Sequence, residues 1–115
     1  MTDLSESTTA GANGTAHVQF SPIAAGLMWV VPQFSIEVIP FTPGAACTIR
    51  RNGRFISSTA LGSGDTAFGP PSIILNRGDV LSFDWAGMTP GSEAVATLFY
   101  SEQTWAATPN EVTAI

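Results

Sequence analysis

The chain has 115 residues, 44% hydrophobic and only 11% charged, with 11 glycines and 8 prolines, so it is too apolar to stay disordered and long enough to bury roughly two thirds of its unfolded surface in one core. Nine acidic residues against four arginines, with no lysine, give a net charge of −5, which argues against non-specific binding to nucleic acid or to anionic lipid. One cysteine, one histidine and no lysine exclude an internal disulfide, a cysteine-based or two-histidine metal site, a lysine Schiff base and a phosphate loop.

Residues 1 to 13 are polar and acidic, show no hydrophobic period and read as an N-terminal arm. They lack the basic end and apolar stretch of an export signal, and the longest apolar stretch, residues 23 to 31, is about half the length of a membrane span. The expectation is synthesis in the cytoplasm. The domain starts near Gly14, where Thr15, His17 and Gln19 alternate with Ala16, Val18 and Phe20 as in a half-buried strand, with His17 on the polar face.

Residues 27 to 39 form the clearest amphipathic strand, with Phe34, Ile36 and Val38 on one side and Gln33, Ser35 and Glu37 on the other. Pro32 cannot donate a ladder hydrogen bond, so it implies an edge position, a bulge or a break. Residues 46 to 51 and 54 to 58 flank Asn52-Gly53, a hairpin turn of type I′. Its register puts Arg51 opposite Arg54, Arg50 opposite Phe55 and Ile49 opposite Ile56, with Cys47 as a small core residue on the isoleucine face.

Residues 59 to 72, rich in Gly, Ser and Pro, read as an irregular connection with a short extended piece near 66 to 68. The tripeptide Arg77-Gly78-Asp79 could be a receptor ligand in a mobile loop. Here Leu81, Phe83 and Trp85 begin a core-facing strand directly after it, so it reads as a turn instead. After Thr89-Pro90-Gly91, residues 93 to 100 are apolar on both faces, as a central strand would be. Residues 101 to 115 return to a polar composition with anchors at Trp105, Val112 and Ile115, and read as a C-terminal arm.

This pattern predicts an all-β fold, an antiparallel β-sandwich or jelly-roll-like domain over residues 14 to 100, with Val18, Phe34, Ile36, Ile49, Ile56, Leu81, Phe83 and Leu98 in its core. Catalytic candidates are weak: His17 is the only histidine a serine triad could use, and Asp79, Asp84 and Glu93 read as solvated carboxylates. No cofactor or metal is called for. Partner-binding candidates are the hairpin arginines Arg50, Arg51 and Arg54, three of the four cations in the chain, together with Trp105, Val112 and Ile115. The arginines either protect a strand edge or dock on acidic groups of a partner. Trp29 and Trp105 could stack on sugars or sit at an assembly interface, whereas Trp85 belongs to the core pattern.

The order of Leu27-Met28-Trp29-Val30-Val31, the Arg51-Asn52-Gly53 hairpin, and Arg77-Gly78-Asp79-Val80-Leu81-Ser82-Phe83-Asp84-Trp85 with the Pro90-Gly91 turn resembles small accessory proteins encoded in tailed phages of actinobacteria. The resemblance covers roughly residues 14 to 100 and brings no catalytic residues. It implies a non-enzymatic virion component, a minor tail protein or a head decoration protein. Its partners would be copies of itself and other virion proteins, with neither nucleic acid nor membrane among them. The alternative is a carbohydrate-binding module using exposed aromatics.

Overall fold

The computed structural model describes residues 2–22, 26–40, 44–59, 64–67 and 72–104. Over these the chain is the antiparallel β-sandwich that the alternating pattern predicts. One sheet contains β1 (Thr2–Thr9), β9 (Glu93–Thr104), β3 (Leu27–Ile39) and β6 (Gly64–Ala67) in that order, with β7 (Ile73–Asn76) also paired to β3. The other runs β2 (Ala16–Phe20), β8 (Leu81–Ala86), β4 (Ala46–Arg51) and β5 (Arg54–Thr59).

The core lies between the inward faces. Val18, Phe34, Ile36, Ile49, Leu81, Phe83 and Leu98 are buried as expected, with Cys47 and Trp85, while Ile56 is only partly buried. Phe83 is the hub: its ring packs edge-on against Phe20 at 5.8 Å and Phe34 at 5.3 Å and stacks with Trp85 at 6.3 Å. Desolvation pushes the Cys47 thiol up to about 12, which leaves it protonated and unreactive as a core residue should be.

Pro32 resolves to a bulge. The β3–β9 register shifts between Val30 and Gln33, and on its other side β3 pairs with β7 before the proline and with β6 after it. A residue without an N–H interrupts the ladder, and the strand changes neighbour at the interruption.

Three expectations are corrected. The segment read as an N-terminal arm is an edge strand: residues 2 to 9 pair in unbroken register with β9, Leu4 packs on the core, and Ser5 and Thr97 share a hydroxyl hydrogen bond of 2.7 Å. An edge strand has one backbone partner and one weakly buried face, so a Ser/Thr-rich sequence with a single leucine is enough to form it. The C-terminal boundary also moves, because β9 continues through residues 101 to 104. Finally, the extended piece expected near 66 to 68 is β6, placed slightly earlier at Gly64–Ala67, and a strand that was not expected, β7 at Ile73–Asn76, follows the connection. Trp105, Val112 and Ile115 lie outside the described residues.

Candidate functional site

The hairpin turn forms as its sequence requires, with Asn52 and Gly53 at φ of 52° and 82°. Arg51 faces Arg54 and Arg50 faces Phe55, but a bulge then sets Ile49 against Ser57 rather than Ile56. The turn thus fixes only the first two pairs.

Like charges opposite one another destabilise a hairpin slightly, and Asp79 offsets this pair. One carboxylate oxygen accepts from Arg51 at 3.2 Å and from the Asn76 backbone N–H at 2.8 Å, while the other accepts from the Asn52 amide at 3.1 Å. The Asn76 N–H, the Asn52 amide and Arg51 together hold the Asp79 carboxyl below its ordinary range, against the opposing effect of burial. Arg51 also donates to the Ile74 carbonyl at 3.0 Å, and Asn52 exchanges hydrogen bonds of 2.8 Å with the backbone of Val80. The Arg77-Gly78-Asp79 turn is therefore a clasp that ties the hairpin to both sheets. Its aspartate is committed inside the molecule.

Arg50 belongs to a second cluster, on the outer face of the β2–β8–β4–β5 sheet. Register places His17, Asp84 and Thr48 in one cross-strand row and Gln19, Ser82, Arg50 and Phe55 in the next. One Asp84 oxygen lies 2.6 Å from His17 Nδ1, and the other accepts from Arg50 at 3.2 Å. His17 Nε2 lies 3.0 Å from the Gln19 side-chain oxygen. Both ring nitrogens face oxygen, so the hydrogen bonds to Gln19 and then Asp84 raise the histidine above its ordinary value. An open groove of about 590 Å³ lies over this cluster, extended by Thr8, Thr9 and Thr15.

A raised histidine carries a definite pH signature. Its stabilising contribution is complete below the unfolded value near pH 6.5 and is lost as pH rises through the higher folded value. The His17 side chain is 52% exposed, so solvent screening limits the effect to a few tenths of a kcal/mol. Denaturant midpoints measured from about pH 5.5 to 8.5 should fall slightly through this window in the native protein and stay flatter in His17→Asn.

The sequence-predicted partner residues therefore separate. Arg50 and Arg51 are engaged by Asp84 and Asp79, whereas Arg54 is exposed and forms no ion pair among the described residues. Beside it stands a residue that the sequence reading used only for register. Phe55 is 64% exposed, more than any other large hydrophobic among the described residues. Its position opposite Arg50 on a polar face was the available signal. Trp29 is not a free stacking surface, because it is half-buried against Tyr100 at 4.5 Å and donates to Glu102 at 3.4 Å. The three carboxylates do not converge: Asp79 is in the clasp, Asp84 is on the second sheet and Glu93 begins β9 on the first.

No family model matches the chain, and neither curated proteins nor solved structures give a match.

Proposed function

We propose that this protein is a non-enzymatic structural component of a tailed-phage virion, a minor tail or head decoration protein. It joins neighbouring virion subunits, copies of itself included, through its hairpin end. The observation that carries this reading is the pairing of an exposed aromatic, Phe55, with an adjacent arginine, Arg54, that has no ion-pair partner among the described residues, at the start of β5 directly after the two-residue turn. Aromatic and arginine side chains are the residues most enriched at interface hot spots. The clasp beneath fixes the tip in place, so little ordering cost remains at docking. The sequence resemblance supplies the virion context.

The test separates assembly from folding. Arg54→Ser combined with Phe55→Ser alters two exposed side chains and should change stability by no more than about 0.5 kcal/mol. Arg51 stays native, because replacing it would also open the Asp79 clasp. Incorporation of the double variant into particles should fall sharply, and Arg54→Ser alone should weaken it more at low salt than at high salt, where the native contact is already screened. Normal incorporation of the double variant would refute docking through the hairpin end.

A further inference from the structure

We infer that the groove over His17, Arg50 and Asp84 is a binding site for a saccharide that carries a carboxylate. The site lies on the outer face of the β2–β8–β4–β5 sheet, and the inference does not depend on docking through Arg54 and Phe55.

The geometry is pre-arranged. Asp84 is bonded on both oxygens, by His17 at 2.6 Å and Arg50 at 3.2 Å, which fixes the two cationic side chains relative to each other. Arg50 uses one of its five N–H donors in this contact, and its side chain is 41% exposed. The remaining donors form the planar fork that receives a carboxylate in two parallel hydrogen bonds. With His17 protonated, the cluster carries two positive charges against one negative, on a chain whose net charge is −5. A positive site on an acidic protein selects an anion locally while the rest of the surface repels non-specific polyanions.

Hydroxyl groups complete the lining. Thr48 stands beside Asp84 in the same cross-strand row, Thr8 reaches the groove from β1, and Thr15 precedes β2. The Thr15 hydroxyl donates to Asn13 at 2.7 Å, leaving its oxygen free to accept. Each threonine presents a methyl beside a hydroxyl, and Ala86 adds an apolar patch to the wall. Such a surface suits a sugar ring with its alternating hydroxyl and C–H edges. The groove's volume, about 590 Å³, is that of sites for small ligands.

The charged groups facing His17 are Asp84 from β8 and Arg50 from β4, and β1 contributes only threonines to the lining. The hydrogen bonds to Gln19 and Asp84 keep the imidazole charged to a higher pH than usual. Anion binding should therefore be strongest below this folded value and weaken as pH rises through it.

A galacturonate trisaccharide and its neutral galactose counterpart are the probes, titrated into the full chain while the His17 and threonine-methyl resonances are followed by NMR. The uronate should bind with millimolar or better affinity and shift His17 and Thr48. Raising the pH through the His17 transition should weaken binding severalfold, and the neutral sugar should bind at least about tenfold more weakly. Arg50→Gln should lose most of the affinity. Thr48→Val, which keeps the side-chain shape, should reduce it in a protein with an unchanged thermal midpoint. The inference is overturned if the uronate produces no shift at tens of millimolar, if the neutral sugar binds equally well, or if both variants bind like the native protein.

Discussion

Phe83→Ala should lower the unfolding free energy by about 3 to 5 kcal/mol, the range for emptying a fully buried aromatic site. Phe83 is 0% exposed, and its ring is the point where Phe20 of β2, Phe34 of β3 and Trp85 of β8 meet. It therefore joins the two sheets as well as filling one position. Its removal forfeits the aromatic contacts to three rings, and those rings cannot close the gap because each is anchored on a different strand or at a different point of β8. Urea denaturation checks this, with the midpoint falling and the slope unchanged if the native fold survives. Phe55→Ala is the matched control, since an exposed phenylalanine on the outer face leaves no cavity.

A comparable loss is expected from Gly14→Ala, and for a different reason. Gly14 sits at φ +75° in the connection that carries the chain from β1 in one sheet to β2 in the other, and a Cβ there would lie 2.5 Å from the Met88 carbonyl oxygen. Gly14 also accepts the Met88 N–H at 3.0 Å. A methyl group would push apart two backbone segments that are hydrogen-bonded to each other. The left-handed backbone alone costs roughly 1 to 2 kcal/mol, and the clash should bring the total to about 3 kcal/mol. Gly53→Ala isolates the first part: its φ is +82°, but nothing lies within 4 Å of the added Cβ. A thermal or urea comparison should rank Gly14→Ala well below Gly53→Ala in stability.

The parts of this fold that could be read from the sequence are those where one strand decides its own pattern. Val18, Phe34, Ile36 and Phe83 alternate with polar residues because each of these strands has a face on the core and a more polar outer face, and the period survives without knowledge of any neighbour. The bulge at Ile49 and Arg50 could not be read. The Asn52-Gly53 turn sets the first pairs, but whether the ladder continues depends on how β5 packs. The edge strand β1 was hidden for a related reason, since its stability comes from a backbone ladder to β9 across more than 80 residues of chain, and backbone bonds leave little trace in side-chain composition.

The sites divide in the same way. The Arg77-Gly78-Asp79 turn was legible from Leu81, Phe83 and Trp85, but its attachment to Arg51 was not, because that contact joins residues 28 positions apart. His17 and Asp84 could each be placed on a polar face from alternation alone. Their contact follows only once β2 and β8 are known to be neighbours with His17 opposite Asp84. The arginine count at the hairpin could not show which of the three have carboxylate partners within the chain. Arg50 and Arg51 have internal carboxylate partners, whereas Arg54 forms no ion pair among the described residues.

The central claim, that the hairpin end is an assembly surface of a virion subunit, is tested most directly by electron cryo-microscopy of purified phage particles combined with chemical crosslinking. The chain should appear at fixed copy number in the head shell or tail, with Arg54 and Phe55 buried against an adjacent subunit and crosslinks from the hairpin to that subunit. Absence of the chain from purified particles, or its presence with Arg54 and Phe55 facing open solvent in every copy, would contradict the account.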